Sequence, residues 1–346
     1  AHPARGRAVS QRVFALGHRE AEAPPLLAPE RTPAREAGLG AHAAEALRPL
    51  EASAALLGQL AGGDPVERAA ELRALLVDIA SRLPHPARAL RNLERYLASL
   101  AKSEDADAPA RILAGGADRL DQLVRMLGSG AFFSEVLVAR PDLAEAIPGA
   151  LFCTVTRTRD EYLASLLAAV DAEASLAPRM AALRRAWYRE IVAVGAHDVL
   201  GGCSLRAVNR EQTALAEAAL EVAYRIAAAE LAPEAALRVT VFALGRLGHA
   251  GMDYGSDLDL ISIFDGDAPS PVAGEEASVF YARFAQLLVR VLSALTREGY
   301  LYRVDFRLRP EGRAGRMASS LSRMLDYIAA RAGAWELTAY LKVRPV

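Results

Sequence analysis

Between residues 46 and 231 the apolar positions recur every three or four residues, the spacing of helices with one buried face. In ARALRNLERYLASLA, Leu90, Leu93, Tyr96 and Leu97 fall on a single stripe. ADRLDQLVRMLG repeats the pattern with Leu120, Leu123 and Leu127, and Gly128 reads as its stop. Two longer helices are expected over residues 177–202 and 209–231. The pattern changes after Pro233. RVTVFAL (238–244) is apolar and β-branched, DLDLISIF (257–264) is a second strand, and YLYRVDFRLRP (300–310) alternates as a third, stopped by Pro310. A glycine-rich turn, GRLGHAGMDYGS, joins the first two strands. A long helix is expected over about 276–296, and further helices after residue 319.

The expected fold is therefore α+β, an N-terminal helical bundle followed by an α/β domain with a small mixed sheet. Residues 1–45 form a proline-rich leader or linker, with prolines at 24, 25, 29 and 33 that forbid a long helix. The helical region runs 46–232 and the α/β domain 233–346. Both ends read as cut, so the α/β domain is expected to be truncated at its C-terminus.

Composition narrows the function classes. The 346 residues are 52% hydrophobic and 24% charged, with a net charge of -1, and nothing global points to nucleic acid or a membrane surface. No apolar run reaches the roughly 18 residues of a membrane span. Cys153 and Cys203 fit no metal spacing, which suits a reduced, cytoplasmic protein.

The candidate chemistry sits in YGSDLDLISIFD. Asp257 and Asp259 project to the same side of a strand, because side chains alternate. Two adjacent carboxylates repel each other unless a divalent cation lies between them, and Mg²⁺ prefers hard oxygen ligands together with phosphate oxygens. In the third strand Arg303, Asp305, Arg307 and Arg309 share one face and Tyr302, Val304, Phe306 and Leu308 the other. Asp305 completes a three-carboxylate metal site if that strand lies beside the second. Arg307 and Arg309 are candidates for holding phosphate oxygens through guanidinium forks. The alternative reading of these charges is ordinary strand salt bridges. Gly255 allows close backbone approach, the Ser256 hydroxyl can grip a phosphate, and Gly245 and Arg246 open the preceding turn.

Gly-Ser followed by Asp-x-Asp, with a later strand carrying a third Asp, resembles the nucleotidyltransferase superfamily of DNA polymerase beta. GRLGHAGMDYGSDLDL, YLYRVDFRLRPEGRAG and the segment through Trp335, Glu336, Lys342 and Arg344 resemble more closely the glutamine synthetase adenylyltransferase/adenylyl-removing family. The helical segments from about residue 80 are similar too. The resemblance implies one nucleotidyltransferase domain of a two-domain enzyme. It implies Mg²⁺ at Asp257, Asp259 and Asp305, with ATP or ADP and phosphate as small substrates. Glutamine synthetase is the implied protein substrate and a PII-type protein an implied regulator. YRVD and RPEG are more similar to the adenylyl-removing half, where the transferring half more often has Tyr-Glu-Val-Asp and Arg-Pro-Ser-Gly. The alternatives are the transferring half and a catalytically weak regulatory domain of the same fold. Arg246, His249 and Gly251 depart from the family's usual lysine, glycine and glutamate.

Overall fold

The structure is a computed structural model, described over residues 43–60, 65–105, 108, 111, 116–149 and 157–346. Most of the expected leader, residues 1–42, and Cys153 lie outside these residues. The contacts divide the chain into two compact units, Ala1–Phe152 with Gly195–Gly202, and Cys153–Val194 with Cys203–Val346. This division differs from the expected boundary at 232–233. The later helices of the predicted bundle belong to the unit that carries the sheet.

The first unit holds α1 (Ala43–Leu60), α2 (Pro65–Ser81), α3 (Pro86–Leu100), α4 (Gly116–Ser129) and α5 (Ala131–Ala139), followed by a 3₁₀ turn over Pro141–Ala146. Its core is the stripe that the periodicity marks. Leu90, Leu93, Tyr96, Leu97, Leu120, Leu123 and Leu127 are all buried. Two polar groups trapped with them find backbone partners. The Tyr96 hydroxyl donates to the Pro141 carbonyl at 3.0 Å and the Asn92 amide to that of Leu127 at 2.9 Å. Gly128 does not end α4 but lies inside it. A Cβ there would come within 3.0 Å of the Ala89 Cβ, so the glycine serves close helix packing rather than a stop.

The second unit contains α6 (Arg159–Asp171), α7 (Leu176–Val199) through Val194, and α8 (Leu205–Leu231), followed by the sheet. Thr158 caps α6 in a reciprocal box with Glu161, and Ser204 caps α8. Then come β1 (Val239–Ala243), α9 (Gly245–Gly248), β2 (Leu258–Phe264), α10 (Ala277–Ser293), β3 (Val304–Asp305) and β4 (Ala318–Ser320). The described chain closes with α11 (Leu321–Ala330), α12 (Ala334–Tyr340) and β5 (Arg344–Pro345).

The sheet is mixed, as expected. β1 lies antiparallel between β2 and β5, whereas β3 and β4 both pair parallel with β2. On one face Phe264 stacks on Tyr281 of α10 at 4.8 Å, and Tyr224 of α8 meets Phe284 edge-on. On the other, Ile261 and Ile263 pack with Leu244, and with Met324 and Ile328 of α11. Asp259 continues the Ile261–Ile263 side of β2 by alternation. The carboxylate therefore stands where that apolar face reaches its end.

The third strand is much shorter than expected. It stops at Asp305, whose Oδ1 accepts the backbone N–H of Arg307 at 2.8 Å. Such a local carboxylate-to-backbone bond turns the chain away from the ladder. Arg307 and Arg309 consequently lie in turns, and the predicted strand face shared by Arg303, Asp305, Arg307 and Arg309 does not exist beyond residue 305. The glycine turn after β1 contains one helical turn, α9.

Candidate active site

β2 and β3 bring the acidic residues together. In the parallel register Asp259 is the Cα partner of Asp305, and Leu258 pairs with Val304. The Leu258 N–H donates to the Arg303 carbonyl at 2.8 Å, locking the pair. Asp257 lies two residues ahead of Asp259, just outside the ladder, and is exposed while Asp259 is half-buried. Burial raises the Asp259 pKa, and the negative charges of Asp305 and Asp257 raise it further, against a lowering by Arg307. Asp305 is held below the ordinary carboxylate range, chiefly by its hydrogen bond from the Arg307 side chain. Its Oδ2 accepts Arg307 Nε at 2.7 Å and stands 2.5 Å from a terminal guanidinium nitrogen. The salt-bridge alternative is thus realised at this one pair.

The glycine-rich loop is shaped around Asp259. Gly245 has φ of +52°, and a Cβ on it would fall 2.1 Å from the Asp259 carboxylate oxygen. Only glycine meets both demands, the left-handed backbone and the space for a neighbouring carboxylate. Leu244 N–H donates to the Asp259 carbonyl at 2.9 Å, so the loop leaves β1 directly beside the acidic residue. Arg246 pairs with Asp253 across the loop at 3.3 Å, on the surface. The Ser256 hydroxyl accepts the Asp253 N–H at 3.2 Å, and the Ser256 N–H donates to the Asp253 carbonyl at 3.0 Å. Gly255, at φ +73°, permits this tight closure. Ser256 and Arg246 are therefore engaged within the loop, while Gly245 adjoins the carboxylates.

Arg309 is placed differently from Arg307. Its guanidinium donates to the carbonyls of Gly315 (3.0 Å), Phe306 (2.7 Å) and Arg313 (3.1 Å), which ties the 306–315 loop to itself. Glu311, in the left-handed region at φ +66°, accepts from Arg323 at 2.8 Å and Arg331 at 3.0 Å and pins the loop to α11.

Several supports were missed by the sequence reading. Asp253 organises the loop, and the Asp-x-x-Ser spacing is the pattern that would have marked it. Thr213 of α8 accepts the Met252 N–H at 3.3 Å from 39 residues away. Upstream of β3, fully buried Arg184 of α7 donates to the carbonyls of Val291, Ala294 and Gly299. Trp187 Nε1 donates to the Tyr302 hydroxyl at 2.9 Å. These two residues fix the path of the chain that delivers Asp305.

Residues 120–346 match the family model of glutamate-ammonia ligase adenylyltransferase. The chain belongs to this family. Among proteins similar to this adenylyltransferase-family chain is a bifunctional glutamine synthetase adenylyltransferase/adenylyl-removing enzyme of Xanthobacter autotrophicus. It is 34% identical over 221 residues, 59% of this chain and 22% of the relative. The enzymes of the same name from Bradyrhizobium diazoefficiens and Idiomarina loihiensis are 28% and 30% identical, over 78% and 80% of this chain. The chain spans between 22% and 30% of the length of these three relatives. No helix among the described residues is long and apolar enough to cross a membrane.

Nucleotidyltransferases of this kind generally work with a divalent cation. The donor set here suits one. Asp257 and Asp259, two residues apart, would supply hard oxygens, and the like charge crowded on Asp259 is what a cation would relieve. Among the described residues, no group of three or more His, Cys, Asp or Glu side chains stands at metal-holding distance. Both oxygens of the third carboxylate, Asp305, are engaged by Arg307.

Proposed function

We propose that this chain is a Mg²⁺-dependent nucleotidyltransferase of cytoplasmic nitrogen control, acting on the adenylylation of glutamine synthetase, and that it is the adenylyl-removing half. The observation that carries the reading is the register of β2 and β3. It sets Asp259 directly beside Asp305, with Asp257 two residues away. Family membership and the activities in the relatives' names support the same chemistry.

In this reading Asp257 and Asp259 hold the cation and Asp305 joins them. Bound there, Mg²⁺ supplies neutralisation of the charge that develops on the phosphoryl oxygens. The protein's own groups position the reactants. Gly245 leaves room for Asp259, and Arg307 offers a bidentate fork to phosphate. In the removing direction an oxygen of inorganic phosphate forms a bond to the α-phosphorus of AMP–tyrosine. The bond from phosphorus to the tyrosine oxygen breaks, the tyrosine oxygen takes up a proton, and ADP leaves. ATP is the donor in the opposite reaction, and a PII-type protein is the proposed regulator.

The direction rests on the resemblance of YRVD and RPEG. Arg303, exposed and two residues from Asp305, adds positive charge for a second anion. Glu311, the other residue that distinguishes the halves, is committed to Arg323 and Arg331 and plays a structural part.

Incubating the chain with adenylylated glutamine synthetase, phosphate and Mg²⁺ tests the proposal. ADP release that requires phosphate is expected. Labelling of unmodified glutamine synthetase from ATP, without phosphate-dependent ADP release, would make this the transferring half.

A further inference from the structure

The arginines after β3 are held in two different ways. Arg309 is spent on three backbone carbonyls. Arg307 is spent on a single carboxylate. Asp305 Oδ1 accepts its backbone N–H, and Oδ2 is engaged by Nε and a terminal nitrogen of its side chain. The Arg307 side chain is 64% exposed, whereas that of Asp305 is 16% exposed. The carboxylate is fixed in the sheet and the guanidinium reaches it from solvent.

Without a cation, three carboxylates face one directly bound guanidinium. The excess negative charge disfavours a phosphate. A divalent cation on Asp257 and Asp259 reverses the balance twice, because it attracts Asp305 and repels the guanidinium. Arg307 then lies beside the carboxylate centre with its donors released. A guanidinium with that freedom matches two phosphate oxygens in a planar fork.

We propose that Arg307 is the resident counter-ion of Asp305 and exchanges it for a phosphoryl oxygen when a divalent cation takes the carboxylates. The phosphate subsite is therefore completed by the cation, and the order of loading is cation first, phosphate second. The inference rests on the nucleotidyl reading above.

Mn²⁺ binding to the full 346-residue chain, counted from the free-ion paramagnetic resonance signal without nucleotide, reads the exchange directly. Removing a competitor must tighten cation binding. Arg307→Gln is expected to bind Mn²⁺ about three- to fivefold more tightly than the wild type, the scale of a mostly exposed ion pair. Arg303→Gln removes the same charge next to β3 without breaking a hydrogen bond to Asp305, and is expected to change affinity by less than about twofold. With Mg²⁺ saturating, calorimetric titration with inorganic phosphate should show at least about fivefold weaker binding to Arg307→Gln. If Arg307→Gln binds Mn²⁺ no tighter than wild type, Arg307 merely orients Asp305 and the exchange is wrong. An effect equal to that of Arg303→Gln, or unchanged phosphate binding, also overturns it. Should the Gln variant fail to fold, Arg307→Ala replaces it, with tighter Mn²⁺ and weaker phosphate still expected and the opposite signs fatal. Asp257→Asn separates two failures. If wild type and Asp257→Asn bind Mn²⁺ equally, the metal reading falls and takes the exchange with it. If Asp257→Asn loses the ion while Arg307→Gln gains nothing, the exchange alone falls.

Discussion

β2 and the segment from Tyr302 to Gly315 carry related chemistry on different mechanical supports. β2 is seven residues long and paired on both sides, so alternation dictates where Asp259 points. Its carboxylate cannot choose a partner and bears the repulsion of its neighbours. The later segment has only two strand residues, and there Asp305, Arg309 and Glu311 each find their own partners. Asp305 takes Arg307, Arg309 takes three carbonyls, and Glu311 takes Arg323 of α11 and Arg331 just after it. A rigid strand imposes an unfavourable charge arrangement that a ligand can relieve. A turn-rich loop relieves its own charges and must surrender contacts before a ligand binds.

The largest effect that tests this contrast is at Asp259. Asp259→Asn removes an imposed charge without changing size, and should lower turnover by about two orders of magnitude or more. Its melting temperature near neutral pH should equal or exceed that of the wild type, because like-charge crowding is relieved. A clear loss of stability would show that the carboxylate is a structural partner. Gly245→Ala comes next. It must move either the loop or the Asp259 carboxylate, so activity should fall together with about 1–2 kcal/mol of stability, read by denaturant titration. Native activity in this variant would remove Asp259 from the reaction.

Arg309→Gln sharpens the other side of the comparison. It breaks three bonds to backbone, and should cost about 2 kcal/mol of stability while phosphate affinity in the folded protein stays near wild type. Weakened phosphate binding at unchanged stability would restore the predicted phosphate role. The smallest effect is in the titration of the two paired aspartates, measured by carboxyl carbon resonances. Asp259 should titrate above the ordinary 3.8 and Asp305 below it. Asp305, lowered by Arg307, stabilises the fold above its unfolded pKa, and that contribution is lost as pH falls through its lower folded value. Asp259 has the opposite sign, since the fold favours its protonated form and that contribution is lost as pH rises through its raised value. Equal pKa values would erase the distinction between the two supports.

Legibility in the sequence follows the same division. The helical stripe through Leu90, Leu93 and Leu97 was readable because a periodic pattern reports on a regular element that buries one face. β1 and β2 were readable for the same reason. The alternation of residues 300–310 misled, because a bond from Asp305 to the next-but-one N–H ended the strand after two residues. β4 and β5, three and two residues long, have no pattern to detect, and their partners lie far away in the chain. Thr213, Arg184 and Trp187 act across long sequence separations, where spacing carries no signal.

The most direct test of the central claim is a crystal of the chain grown with Mn²⁺ and examined by anomalous scattering. The account predicts a peak about 2.1 Å from carboxylate oxygens of both Asp257 and Asp259, with Arg307 drawn off Asp305. A peak elsewhere, or none at these two residues at saturating Mn²⁺, would contradict the assignment of this acidic pair as the metal-dependent centre.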